Sequence, residues 1–134
     1  MMGTNTMRVK IEYLNVQEDE RGCVFEPLES EVLPFQRNAH LVLTHPGCVR
    51  GNHYHTRGAE VIVVHGSTLV RFRDRQVLHE ITVGENQTVR FVIPSEVSHA
   101  FKNTGNSTTV MVAFNTVAHD KKKPDVVQDI LIEH

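Results

Sequence analysis

Gly47-Cys48-Val49-Arg50-Gly51-Asn52-His53-Tyr54-His55-Thr56-Arg57-Gly58-Ala59-Glu60 is the stretch whose reading decides the fold. Val49 to His55 reads as a strand, and His53 and His55 are two apart on it, so both imidazoles project from one face. Glu60 begins the next predicted strand, Glu60 to Val64, after a short turn containing Arg57 and Gly58. If that hairpin forms, the carboxylate can face the same cavity as the imidazoles.

Working outward, the same strand-and-turn spacing continues in both directions. Thr68 to Arg73, Val77 to Val83, Val89 to Ile93, Val97 to Lys102 and Thr108 to Phe114 follow, with Gly58, Gly66, Asp74 and Gly84-Glu85-Asn86 supplying turns. Toward the N-terminus, Ala39 to Thr44 is a strand stopped by Pro46 and Gly47. Met7, Val9, Ile11 and Tyr13 alternate with Arg8, Lys10 and Glu12, the two-residue period of a half-buried strand. Gln17 to Gly22 reads as a charged turn, and the stretch through Pro27 and Pro34 as irregular. The tail, Val126 to Ile132, fits either a short helix opened by Pro124-Asp125 or a final strand. About nine short strands at intervals of roughly eight to twelve residues predict an all-β sandwich or barrel. No repeat or linker interrupts them, which predicts one domain over residues 1–134.

Composition narrows the function classes. The chain has 134 residues, 40% apolar and 22% charged, with a formal net charge of −2. Its one basic run is Lys121 to Lys123, so no positive stripe suits a phosphate backbone, and nucleic acid is not an expected partner. Purely apolar runs such as Val61 to Val64 are far short of a membrane span, and Met1 to Lys10 lacks a secretory core. The expectation is a cytoplasmic protein with no membrane partner. Cys23 and Cys48 form no metal-type pair, which in a reducing compartment predicts two free, buried thiols.

Nine histidines are present, and four chemistry-bearing residues stand out. His99 follows the Pro94 turn on a strand that a closed barrel could bring opposite His53 and His55. Three imidazoles and the Glu60 carboxylate make an N₃O set, which suits a divalent metal. Zinc is the first candidate, with iron, manganese, nickel or cobalt as alternatives. A lone buried histidine is more often a hydrogen-bonded core residue, but this pattern makes His53, His55, Glu60 and His99 the metal candidates. His40, His45, His65, His79, His119 and His134 lack comparable partners and read as surface or packing residues.

These residues resemble the two motifs of the cupins. Gly47, His53, His55, Glu60 and Gly66 follow the first motif (residues 47–66), with five residues rather than six between Glu60 and Gly66. Pro94, His99 and Asn103 follow the second (residues 88–103), with Glu96 in the usual glycine place and Thr88 where an earlier glycine is expected. The resemblance implies a double-stranded β-helix, the jelly-roll barrel, around a metal.

Arg50-Gly51-Asn52-His53 further resembles the Arg-Gly-x-His signature of cupins acting on nucleotide-linked 4-keto-6-deoxy sugars, the 3,5-epimerases and 3,4-ketoisomerases. RGNHYHTRGAEVIVVHGSTLVRFRD (residues 50–74) and IPSEVSHAFKNTG (residues 93–105) are similar to the metal-binding cupin domain that ends the bifunctional capsular polysaccharide reductases. The resemblance implies an epimerase or isomerase in polysaccharide or deoxysugar synthesis, with a nucleotide sugar as substrate. It implies a diphosphate contact for Arg50, where a planar fork suits phosphate oxygens. In metal-free relatives the His53 position serves as a base. Tyr54, Lys102 and the His119-Asp120 pair are further base candidates. Lys102 is also a candidate substrate contact, as are Arg71 and Arg73, which share one strand face that either lines the cavity mouth or, the favoured reading, is an outer charged face. A metal-dependent dioxygenase and a non-enzymatic sugar or metabolite binder are the competing readings. A homodimer is expected, by pairing of the Met7 to Tyr13 edge strand across a two-fold axis.

Overall fold

The structure, a computed structural model, describes residues 7–118 and 120–134. Twelve strands run through these residues: β1 (Lys10–Tyr13), β2 (Gln17–Asp19), β3 (Gly22–Val24), β4 (Asn38–Thr44), β5 (Val49–His55), β6 (Glu60–His65), β7 (Thr68–Asp74), β8 (Val77–Val83), β9 (Thr88–Ile93), β10 (Ser98–Asn103), β11 (Thr109–Asn115) and β12 (Val126–Gln128). A single 3₁₀ turn, Leu33–Phe35, precedes β4. Ten strands form two five-stranded antiparallel sheets, in the orders β1-β9-β6-β11-β4 and β12-β5-β10-β7-β8. From β4 onward the chain passes repeatedly from one sheet to the other, the interleaving that makes a jelly roll.

Between the sheets, Ile62, Val64, Val89, Phe91 and Ile93 of the first pack on Val70, Phe72, Val83 and Phe101 of the second. Phe72 and Phe91 are essentially fully buried, each contributing about 1.5–3 kcal/mol of transfer free energy. The run Val61 to Val64 is apolar throughout because both faces of β6 are covered. Ile62 and Val64 point into the sandwich, while Val61 and Val63 meet Leu14, Phe25, Leu28 and Phe114 outside it. Arg90 holds that outer layer down: its guanidinium, almost wholly buried, bonds Glu12, Glu29 and the Pro27 carbonyl.

The outer face of the second sheet is covered by the C-terminal segment. Leu131 and Ile132 are buried against Val49, Leu69 and Ala100. The tail is thus a short strand followed by a packed extended segment, and not a helix. The charged segment at residues 17–24 is a two-stranded hairpin rather than a plain turn. Both cysteines are free, but Cys48 is exposed and Cys23 half-buried, so the expected burial does not hold; the turn carrying Cys48 lies at the surface. Among the described residues, no helix is long and apolar enough to cross a membrane.

Candidate metal centre

His53 and His99 are direct cross-strand partners of β5 and β10, and His55 lies two residues further along β5. Their opposition depends on an irregularity in β5. His99 pairs with His53, but the next residue, Ala100, pairs with Gly51, so Asn52 is an extra residue in the strand. Gly51 and Asn52 both take left-handed backbone conformations, φ +89° and +58°. Glycine is required at 51 for a second reason: a Cβ there would lie 2.7 Å from the His99 carbonyl oxygen. The bulge puts Arg50 and His53 on the same side of β5, where alternation alone would separate them.

Glu60 enters from β6 in the other sheet. Its Oε1 lies 3.0 Å from His99 Nε2 and 3.4 Å from His55 Nε2. One ligand atom from each of His53, His55, Glu60 and His99 can be chosen so that all lie within 4.8 Å of one another. The one-residue shortening before Gly66 therefore does not misdirect Glu60. Its second oxygen accepts a hydrogen bond from Asn115 Nδ2 at 3.0 Å, which fixes the carboxylate plane.

The outer nitrogens of two imidazoles are tied. His55 Nδ1 faces Asp125 Oδ1 at 3.3 Å, and His99 Nδ1 faces the Val97 carbonyl at 3.0 Å. Each acceptor places the ring proton on Nδ1 and leaves the Nε2 lone pair aimed at Glu60. His55 Nε2, His99 Nε2 and Glu60 Oε1 are buried, and their mutual contacts are wrongly angled for hydrogen bonds. Three orphaned polar atoms converging on one point is costly, and a cation bound among them would satisfy all three, so the residues fit a metal.

The electrostatics agree. Burial, with the neighbouring His99 and His55, lowers the His53 pKa to about 4, so that ring is neutral near pH 7 and free to act as a ligand. His55 is raised above its ordinary value by its contact with Glu60, burial opposing, with Asp125 adding to the rise. Burial works to raise the Glu60 carboxyl, but its contacts with His55 and His99 outweigh this and hold it far below the ordinary carboxylate range. An ionised Glu60 and a neutral His53 are in the state a divalent cation needs, and a cation bound there would displace the proton that Glu60 and Asp125 favour on His55.

The family profile of the polysaccharide biosynthesis C-terminal domain matches residues 17–127, which contain this whole centre. The chain belongs to that family. A probable low-salt glycan biosynthesis epimerase, Agl13 of Haloferax volcanii, is 25% identical over 133 residues, covering 90% of the domain and 85% of that protein. The capsular polysaccharide assembling protein CapF of Staphylococcus aureus superposes with a TM-score of 0.60 at 25% identity. That match covers 88% of the domain but 32% of CapF, so the domain spans about a third of CapF's length. A variant of the 3,4-ketoisomerase QdtA from Thermoanaerobacterium thermosaccharolyticum, solved with TDP-4-keto-6-deoxyglucose, superposes with a TM-score of 0.69 at 17% identity over 96% of the domain and 90% of QdtA. The fold is the cupin jelly roll.

The other residues singled out from sequence fall in different places. Arg50 pairs with Phe101 across the strands, is exposed at the open side of the sandwich, and donates to the Leu43 carbonyl of β4 in the other sheet. Arg71, Arg73 and Lys102 alternate with the core residues Val70, Phe72 and Phe101, and so lie on the outer face of the second sheet. There Arg71 pairs with Glu80 and donates to the Leu131 carbonyl, and Arg73 pairs with Asp129. Tyr54 lies beside Arg8, Arg73, Ser98 and Asp129 on that face, away from the imidazoles. His119 lies outside the described residues.

Sequence reasoning missed the cleft beside His55. Asn38, His40, Arg57, Asn115 and Asp125 line it, so His40, a surface residue as expected, nevertheless borders the centre. Its position on β4 with Asn38 and Val42, on the inward-facing alternation, was the available signal. Asp125 had none, because its pairing with His55 spans 70 residues.

Proposed function

We propose that this domain is a metal-dependent epimerase or isomerase of a nucleotide-linked 4-keto-6-deoxy sugar, working in polysaccharide or deoxysugar synthesis. The observation that carries the reading is the convergence of His53, His55, Glu60 and His99 on one point beside a cleft, within a family named for polysaccharide biosynthesis. The name of Agl13 supports the reaction type, and the ligand of the QdtA complex supports the substrate class. Zinc is the proposed ion, with iron, manganese and nickel as alternatives for an N₃O set. A cation held there supplies Lewis acidity to a ketone oxygen as the adjacent C–H loses its proton.

The chain's own residues do the rest. Burial of the imidazole cluster excludes water, and Asn115 and Asp125 hold Glu60 and His55 in orientation. Arg50, at the open side of the sandwich, is the proposed diphosphate contact. His40 and Asp125 line the cleft beside His55 and Arg57, and are the proposed route for proton exchange. We also propose a homodimer in the cytoplasm. β1 and β4 are the two edges of the first sheet, and Leu41 and Leu43 of β4 are exposed, surface that a second copy would cover. Light scattering that reports a monomer would refute the dimer.

The test is deuterium wash-in. The domain is incubated with dTDP- or UDP-linked 4-keto-6-deoxy sugars in D₂O, and exchange at C3 is followed by NMR. Metal-dependent exchange is the expected result. No exchange with any such substrate in metal-loaded protein would refute the reading, and oxygen consumption or simple binding would then favour a dioxygenase or a sugar-binding module.

A further inference from the structure

The same bulge that sets His53 against His99 is wired to the far end of the chain. Asn52 is 4% exposed, and its side chain is held by residues about 80 positions away. Its Oδ1 accepts from the backbone N–H of Leu131 and Ile132 at 2.8 and 3.0 Å, and its Nδ2 donates to the Ile132 carbonyl at 2.9 Å. Its own carbonyl accepts from Asp129 N–H at 2.8 Å.

Residues 125–132 follow β5 along its whole histidine-bearing half. Val126 pairs with His55, Val127 with Tyr54 and Gln128 with His53. At one end of this strap Asp125 holds His55 Nδ1, and its carbonyl accepts from Thr56 N–H. At the other, Asp129 is held by Ser98 Oγ at 2.6 Å and by Arg73, and Leu131 and Ile132 are buried behind Ala100. Ser98 and Ala100 flank His99. The strap therefore pairs with the backbone on both sides of His53 and His55 and contacts the residues that flank His99 through their side chains.

We infer that the C-terminal strap is part of the metal centre, with Asn52 as the positioning residue that couples strap docking to metal affinity. A left-handed residue is strained in a strand, and here the strain is held by bonds the strap provides. With the strap seated, Asn52 fixes the bulge, His53 faces His99, and Asp125 sets the His55 tautomer. With it released, β5 loses both its outer partner and the bonds that favour the bulge, and two of four ligands lose their aim. Coupling of this kind is reciprocal, so metal must tighten the strap as much as the strap tightens metal. The inference rests on the metal reading of the site.

The experiment uses the full chain. Zinc affinity is measured by chelator competition, and the visible spectrum of the cobalt-loaded protein reports ligand geometry. Asn52→Gly keeps a backbone that tolerates φ +58° and removes the three side-chain bonds; Leu131→Ser/Ile132→Ser releases the strap without touching β5. Each variant is expected to bind zinc about 10- to 100-fold more weakly and to alter the cobalt spectrum. Together they should cost no more than the worse of the two. Val83→Ala, a core truncation on β8 away from the site, should lower stability and leave zinc affinity unchanged. In the wild-type protein, zinc should slow amide exchange at Leu131 and Ile132. Zinc binding by the wild type with unchanged affinity in Asn52→Gly, additive losses, or strap amides indifferent to zinc would overturn the inference alone. A wild-type protein that takes up no zinc, cobalt, iron, manganese or nickel would overturn the metal reading and this inference with it.

Discussion

Replacing Gly51 with alanine tests how the fold builds the centre. Gly51 sits at φ +89°, and an added Cβ would lie 2.7 Å from the His99 carbonyl oxygen and 3.3 Å from Ala100 Cα. Ordinary contact begins at 3.4 Å, so the oxygen contact is short by 0.7 Å, and both obstructing atoms are backbone. A left-handed alanine costs about 1–2 kcal/mol. Displacing β10 enough to relieve the clash costs about 1–3 kcal/mol more, as overpacking does. Stiffening of the unfolded chain returns about 0.4–1 kcal/mol. The net destabilisation is about 3 kcal/mol, which in a domain of this size lowers Tm by roughly 10 °C. The atoms that must move are the backbone of His99 and of its neighbour Ala100, so zinc affinity should fall with stability, by about tenfold or more. Thermal unfolding of the metal-free protein and chelator competition on the loaded protein measure the two effects. A Gly51→Ala variant that melts within about 1 °C of wild type and holds zinc equally well would refute the bulge argument.

Further outcomes follow from the same geometry. Glu60→Gln removes the one anionic donor, and zinc affinity should fall further than the roughly 10- to 100-fold typical of a supporting residue; equal retention would show the carboxylate is not a ligand. In the metal-free protein, His53 should titrate near pH 4 by NMR, against an ordinary 6.5. With the folded pKa below the unfolded one, the unfolded chain binds the extra proton between those values, so stability should decline as pH falls from about 6.5 toward 4 through this group. His55, raised by Glu60, works in the opposite sense, adding stability at low pH that is lost as pH rises. An unshifted His53 titration would contradict the buried, neutral-ligand picture. Asn103→Ala should cost about 2–3 kcal/mol in denaturant unfolding, because its side chain bonds Thr44 O, Ser107 O and Gly105 N in a buried knot between two turns. Zinc affinity should not change in that variant; a parallel loss would place Asn103 in the site.

The centre was legible because its spacing is local and its chemistry rare. His53 and His55 share a strand face by period alone, and Glu60 and His99 stand at the starts of strands whose turns are marked by Gly58 and Pro94. What joins them was not legible. The Asn52 bulge reads as one more residue of an ordinary strand, and only its three bonds to residues 131 and 132 reveal it. Arg71 and Arg73 were readable as one outer, charged face of β7, but the tail that packs on that face and bonds both side chains was not. The residue 17–24 hairpin carries no alternation, since Gln17, Glu18 and Asp19 are all exposed. Glu96 occupies a left-handed position, φ +67°, where the cupin motif has glycine, and its N–H bonds the His55 carbonyl at 2.7 Å. The motif's glycine is thus a statement about backbone, which this chain meets with a strained glutamate.

The most direct test of the account is elemental analysis of protein purified without chelators, beside a His53→Ala/His99→Ala double variant whose circular dichroism shows an intact barrel. The account predicts about one equivalent of divalent metal per wild-type chain, lost in the variant. Wild-type protein without metal, or a folded variant that keeps its full complement, would contradict it.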